Sequence, residues 1–223
     1  MVGDEIMVKA VLFDLDGTLV NSLTDLANSA NYALAAFGFP THETEKYKYF
    51  VGNGIPKLIY RILPENSRDE KTQAEVKKKF FEHYSVHYAD NTCAYSGVPL
   101  VVAKLKEKGI KVAVVTNKAH SAAVEVIEKL YPKTFDIICG QRDGIPTKPD
   151  PAMALSVMHK LGVKPEECVF VGDSGPDAAT GVNCGATPVG VLWGFRTADE
   201  LIENGAKYLA DTPEKLLSVI MDL

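Results

Sequence analysis

The sequence predicts an α/β protein: a parallel sheet covered on both faces, with a helical lobe inserted after its first strand. Three observations carry that reading. Short apolar runs rich in β-branched residues recur along the chain, and they are continuous rather than alternating, the mark of strands buried on both sides. Helical periodicities separate most of these runs. The segment from Ser22 to about Cys93 shows helical periodicity and no convincing strand.

In chain order, the first strand is predicted over Val8 to Phe13. The lobe follows: Leu23, Leu26, Ala27, Ala30 and Leu34 line one helix face, and Val76, Phe80, Tyr84 and Tyr88 recur every four residues on another. A helix over Val98 to Lys108 starts with Pro99 in its first turn. A strand over Lys111 to Val115 is followed by a helix whose Ala123, Val126, Ile127 and Leu130 keep one face. A strand over Phe135 to Cys139 precedes a helix with Ala154, Val157, Met158 and Leu161 on one side and Gly162 at its end. Strands over Cys168 to Val171 and Pro188 to Leu192 complete the sheet. Thr197 with Glu200 forms a capping-box signature, and Thr212-Pro213 starts the last helix. The expected division is a core of residues 1–19 and 94–223 and a lobe of residues 20–93, with Gly17 and Asn91-Thr92 as candidate hinges.

Composition narrows the function. Among 223 residues, 24 Lys and Arg stand against 29 Asp and Glu, a net charge of −5. Proteins that hold nucleic acid through phosphate contacts carry a basic stripe, so a nucleic-acid partner is not expected. The run Lys77-Lys78-Lys79 reads as a solvated helix face. Hydrophobic residues make up 46% and charged residues 24%, enough apolar content for a buried core. No window reaches the roughly 18 apolar residues of a membrane span, and Asp4 and Glu5 stand where a signal peptide would be basic; a cytoplasmic protein with no membrane partner is expected. Cys93, Cys139, Cys168 and Cys184 lack CxxC spacing and read as reduced core residues.

The chemistry concentrates at strand ends. Phe13-Asp14-Leu15-Asp16-Gly17-Thr18-Leu19 puts two carboxylates directly after an apolar strand, and ligands of open α/β sheets bind beyond the carboxyl ends of the strands. Two acids in one crevice repel unless a cation or a shared proton relieves them. A capped turn is the structural alternative for this Asp and Gly content. Val169-Phe170-Val171-Gly172-Asp173-Ser174-Gly175-Pro176-Asp177 repeats the arrangement, so two acid-tipped strands point to a shared metal site. Carboxylate oxygens suit a hard cation such as Mg²⁺, and neither motif contains the His or Cys that zinc prefers. The pair His83 and His87 lacks HExxH order and reads as lobe packing. Val114-Val115-Thr116-Asn117-Lys118 offers a hydroxyl, an amide and backbone N–H groups for phosphate oxygens, an ordinary helix cap being the alternative. Lys148, in a proline-stiffened loop, adds a cation.

These residues, in this order, resemble the four motifs of the haloacid dehalogenase superfamily phosphatases, and the phosphoglycolate phosphatase group most of all: Asp14-Leu15-Asp16-Gly17-Thr18, then Thr116-Asn117, then Lys148-Pro149, then Gly172-Asp173-Ser174 through Asp177. The tail Trp193-Gly194-Phe195-Arg196 and the stretch Val51-Gly52-Asn53-Gly54 are similar to the same group. The resemblance implies a Rossmann-like core, a helical cap made by the insertion, and a Mg²⁺-dependent phosphatase acting on a small phosphorylated metabolite. It also implies roles. Asp14 would be the nucleophile and Asp16 the acid and base; Asp14, Asp173 and Asp177, with the backbone carbonyl of Asp16, would hold the metal; Thr116, Asn117 and Lys148 would hold the phosphoryl oxygens. Gly52, Asn53 and Gly54 with Lys57, and Arg61 beside them, are the expected substrate contacts in the cap, the two cations being placed to meet a substrate carboxylate. Asp16 disfavours dehalogenation, which has no alkoxide to protonate. A sugar-phosphate mutase and a non-catalytic binding module on the same scaffold are the alternatives. The sequence departs from the family pattern at Asn21, where Asp is frequent, and at Gly181 and Cys184, where Ala is frequent.

Overall fold

A strand without a polar side needs cover on both faces, and the chain supplies it with a six-stranded parallel sheet between helices. The computed structural model describes residues 7–223, so Asp4 and Glu5 fall outside it. The sheet comprises β1 (Ala10–Phe13), β4 (Lys111–Ala119), β5 (Ile137–Gln141), β6 (Cys168–Gly172), β7 (Thr187–Val191) and β8 (Tyr208–Ala210), in the order β5-β4-β1-β6-β7-β8. Alternate residues of β1 feed two cores, as the pleat requires. Val11 and Phe13 pack with α5 (Val98–Glu107), α6 (His120–Leu130) and α10 (Pro213–Met221). Ala10 and Leu12 pack with α7 (Ala152–Leu161) and, through Cys184, the end of α8 (Gly175–Asn183). Each large apolar side chain of β1 is fully buried, worth about 1.5–3 kcal/mol apiece. Thr197 and Thr212 cap α9 (Ala198–Glu203) and α10, accepting from the N–H groups of Glu200 and Lys215.

The five predicted strands are present with shifted ends, and β4 runs four residues further than expected. β8 is a sixth strand without an apolar run, because a three-residue edge strand needs only one partner. Two further strands escaped the sequence pattern: β2 (Val20–Asn21) and β3 (Cys93–Ala94) pair antiparallel where the chain leaves the sheet layer and returns to it. Two residues are too few to show a period.

Between them lie α1 (Leu23–Ala36), α2 (Tyr47–Phe50), α3 (Ile55–Ile62) and α4 (Glu70–His87). They bury a cluster of their own, in which the predicted stripe Leu23, Leu26, Ala27, Ala30 and Leu34 meets Val76, Phe80 and Tyr84. The return linker is pinned to α1 by buried Asp25, which accepts from the backbone N–H groups of Asn91 and Thr92 at 3.0 and 2.8 Å and from both their side chains. These bonds to the charged form hold the Asp25 carboxyl below its ordinary pKa although burial pushes it up. His83 stacks on His87, with Ser29 and Asp90 against their Nδ1 atoms.

All four cysteines are free; Cys168 and Cys184 are core residues, Cys139 is half-buried, and Cys93 is exposed on the two-residue ribbon, against expectation. Among the described residues no helix is long and apolar enough to cross a membrane.

Candidate active site

The carboxyl ends of β1, β4 and β6 meet where the strand order reverses, the place in an open α/β sheet where a crevice forms. The ladder extends one step past β1: the Asp14 N–H donates to the Val171 carbonyl at 2.9 Å, which sets Asp14 beside the tip of β6. One carboxylate oxygen each from Asp14, Asp173 and Asp177 then lie within 4.8 Å of one another, all buried.

Each carboxylate is held by local chemistry. Asp177 sits in the first turn of α8, where the N–H and hydroxyl of Ser174 donate to its Oδ2 at 3.0 and 2.5 Å. That is a capping box, and it anchors the acid and the helix start together. Asp173 accepts from the Thr18 hydroxyl at 3.0 Å and the Phe195 N–H at 2.8 Å. Gly17 and Gly194 make room for it. A Cβ on Gly17, whose φ is +94°, would lie 2.3 Å from Asp173 Oδ2, and one on Gly194 would lie 2.2 Å from the Asp173 Cβ.

Lys148 is also buried, its Nζ 2.7 Å from Asp14 Oδ1 and 2.6 Å from Asp177 Oδ1. Asn117 ties its loop to β4, accepting from the Lys148 N–H at 2.8 Å and donating to the Lys148 carbonyl at 3.3 Å. Fully ionised, the three carboxylates would bring −3 and Lys148 +1, a total of −2. Burial and mutual repulsion penalise that charge. Burial first and Asp177 second raise the Asp14 carboxyl to about 6, outweighing Lys148. Burial, then Asp177 and Asp14, raise Asp173 to about 8. Burial works against the Lys148 ammonium, but Asp14 and Asp177 hold its pKa above the ordinary value. An all-oxygen, buried cluster whose full ionisation is penalised in this way is the donor set that a hard divalent cation would relieve.

A second charged group faces the lobe. Asp16 is not in the three-carboxylate cluster: its Oδ1 accepts from the Ser22 hydroxyl at 2.6 Å, and both its oxygens lie 3.0 and 3.1 Å from Lys118 Nζ. Lys118 also donates to the Tyr84 hydroxyl of α4 at 2.7 Å. Burial opposes the Lys118 charge, and Asp16 and Tyr84 more than restore it, so its pKa is raised. The β4–β5 register shifts between Thr116 and Ala119. Such a break in the ladder re-aims side chains, and Thr116, Asn117 and Lys118 all line one cleft despite being consecutive.

That cleft lies between sheet and lobe. Asp14 and Asp16 form its floor, and Leu26, Ile55, Leu58 and Phe81 form an apolar wall. Its free volume is about 50 Å³, on the scale of a few water molecules. Gly52 and Gly54 border it, and the Gly52 carbonyl accepts from Asn117 Nδ2 at 3.2 Å. The other expected lobe contacts are placed elsewhere. Asn53 turns its side-chain oxygen to Arg61, 2.8 Å away, Arg61 also donates to the Phe50 carbonyl, and Lys57 is exposed on α3 and does not line the cleft. The reading of Lys57 and Arg61 as a carboxylate site therefore finds no support; Arg61 braces the glycine loop. Sequence reasoning assigned no role to Lys118, Tyr84, Thr18 or Ser22. Only Lys118 left a signal, since it directly follows the Thr116-Asn117 motif at the end of a predicted strand.

Residues 11–191 match the family model described as haloacid dehalogenase-like hydrolase. The chain belongs to that family. Its relatives among the haloacid dehalogenase-like hydrolases include the phosphoglycolate phosphatase of Haemophilus influenzae, 36% identical over 220 residues, which cover 95% of this chain and 98% of that protein. The phosphoglycolate phosphatase of Chromobacterium violaceum is 36% identical over 199 residues, 87% of this chain and 89% of the relative. A crystal structure from Lactobacillus delbrueckii subsp. bulgaricus, provisionally assigned as a phosphoglycolate phosphatase, superposes with a TM-score of 0.92 at 30% identity, covering 97% of this chain and all of the other. Membership makes the chain a hydrolase built on the scaffold that phosphatases use.

Proposed function

We propose that the chain is a Mg²⁺-dependent phosphomonoesterase for small metabolites, 2-phosphoglycolate foremost, working through a phosphoryl group carried on Asp14. The observation that carries this reading is the convergence of Asp14, Asp173 and Asp177 within 4.8 Å, beside Lys148, with Asp14 also lining the cleft. The relatives named phosphoglycolate phosphatase, similar over nearly the whole chain, support the substrate.

In the proposed reaction an Asp14 oxygen attacks phosphorus, the bond from phosphorus to the substrate oxygen breaks, and Asp16 hands its proton to the departing alkoxide. Asp16 then takes a proton from water, the water oxygen attacks phosphorus, and the Asp14 carboxylate leaves as phosphate is released. Asp14, Asp173 and Asp177, with the Asp16 carbonyl, would hold Mg²⁺, which when bound offsets the charge of the phosphoryl oxygens. Lys148 orients the Asp14 carboxylate, and Thr116 and the Asn117 backbone line the space for phosphoryl oxygens. The lobe acts as a cap that limits the leaving group and keeps bulk water out. Three contacts support this: Asn117 with the Gly52 carbonyl, Arg196 with the Val51 carbonyl at 2.9 Å, and Phe195 buried in the lobe's apolar cluster.

The test is phosphate release with Mg²⁺ across a panel of small phosphomonoesters. Wild type is expected to release phosphate, 2-phosphoglycolate giving the highest kcat/KM. Asp14→Asn is expected to lose at least about 10³-fold in turnover while still binding vanadate. Retained turnover in that variant rejects Asp14 as nucleophile, and no release by wild type from any member rejects the phosphatase reading.

A further inference from the structure

The cleft holds a charge that the proposed reaction leaves unassigned. Among the described residues that line it, Lys118 is the only cation. It is a buried one, its side chain 6% exposed. The other cations near the site are engaged elsewhere: Lys148 between Asp14 and Asp177, Arg61 on the Phe50 carbonyl and Asn53, and Arg196 on Glu200 and the Val51 carbonyl. The same cleft is lined by apolar Leu26, Ile55, Leu58 and Phe81.

We infer that Lys118 is the specificity-determining residue for the leaving group, selecting a short chain that ends in a carboxylate. The inference rests on the phosphomonoesterase reading above. A buried cation in a small cleft that is otherwise lined largely by apolar side chains favours a leaving group with few carbons and one anion, since a larger or polar one would leave groups without partners. The ammonium has three donors, which face both Asp16 oxygens, at 3.0 and 3.1 Å, and the Tyr84 hydroxyl at 2.7 Å, so a substrate carboxylate would share the ammonium with Asp16. Because Tyr84 belongs to α4, the same ammonium reports the seating of the lobe to the sheet, so the carboxylate is met only where the two are joined.

The experiment compares kcat/KM for 2-phosphoglycolate with that for ethyl phosphate, which has the same phosphoryl group and chain start but no carboxylate. Wild type is expected to favour 2-phosphoglycolate, and Lys118→Met to shrink the ratio about 10- to 100-fold, the range of a lost charge-assisted hydrogen bond, mainly through KM. A residue that only positions Asp16 would lower both values together, so a ratio that moves less than tenfold overturns the inference. Should Lys118→Met fail to fold, wild type decides: 3-phosphonopropionate is expected to inhibit at least tenfold more tightly than propylphosphonate, and equal inhibition overturns the proposal. If wild type cleaves no phosphomonoester, it is the phosphatase reading that fails; if it cleaves both esters equally well, only the role of Lys118 fails.

Discussion

Two buried lysines in one site are built on different plans. Lys148 is neutralised within the sheet layer, by Asp14 at the end of β1 and Asp177 in the first turn of α8. Lys118 draws one partner, Asp16, from the sheet layer and the other, Tyr84, from the lobe. The first arrangement is complete whatever the lobe does; the second exists only where lobe and sheet are in contact. On the proposed reading, the first place suits a charge needed for every phosphoryl group, and the second a charge that reads the leaving group.

The strongest way to break this comparison is to remove the lysine of the self-contained set. Lys148→Met leaves Asp14 and Asp177 buried without their cation, and removing one partner of a buried pair costs about 3–5 kcal/mol. The expected result in urea denaturation at pH 8 without Mg²⁺ is a loss of that size, together with loss of most turnover. A change below about 1 kcal/mol would mean that the carboxylates, not Lys148, set the energetics of the cluster.

A pH series sharpens the same contrast. Asp14 and Asp173 have folded-state values of about 6 and about 8, above the 3.8 of an unperturbed carboxyl. Without a bound cation the folded state therefore holds more protons than the unfolded chain between about pH 4 and 8, and stability falls as pH rises through that window. A divalent ion competes with those protons. Mg²⁺ at about 100 times its Kd is expected to add about 2–3 kcal/mol at pH 8 and clearly less at pH 5.5, read as the Mg²⁺-dependent rise in Tm at each pH. A rise that is equal at both pH values would contradict a cation held by these carboxylates.

The smallest expected effect comes from the bridging set. Tyr84→Phe removes the hydroxyl that Lys118 donates to and leaves both charges of the pair, costing about 1 kcal/mol, which is a fall of about 2–4 °C in Tm for a chain of this size. It should also lower the preference for 2-phosphoglycolate over ethyl phosphate by several fold. If Tm falls and the preference does not, Tyr84 is packing and the lobe plays no part in reading the leaving group.

Much of the Lys148 set was legible in the sequence because its parts sit at the ends of apolar runs. Asp14 and Asp173 follow strands that any reading of continuous hydrophobicity finds, and Asp177 completes an Ser-x-x-Asp helix start. The Lys118 set was hidden. Tyr84 fits the four-residue stripe of α4 and reads as packing, which it also is, and nothing in a one-dimensional pattern says that its hydroxyl leaves the apolar cluster toward a lysine 34 positions away. Lys57 misled for the converse reason: a cation beside a glycine turn looks poised for an anion, but the helical period of α3 turns its neighbours Leu58 and Ile59 inward and leaves Lys57 exposed.

By itself the sequence determined the alternation of strands and helices, the helical insertion and the strand-end acids, because hydrophobic periodicity and turn chemistry are local properties of the chain. Tertiary structure alone decided which acids share a centre, which lysine serves which of them, and that Asp16 turns to the lobe rather than to the other carboxylates. Those outcomes depend on close fit between segments far apart in the chain, as where Gly17 leaves room for Asp173 and no larger residue would. Periodicity sets which face a side chain takes, and only packing sets what stands opposite it.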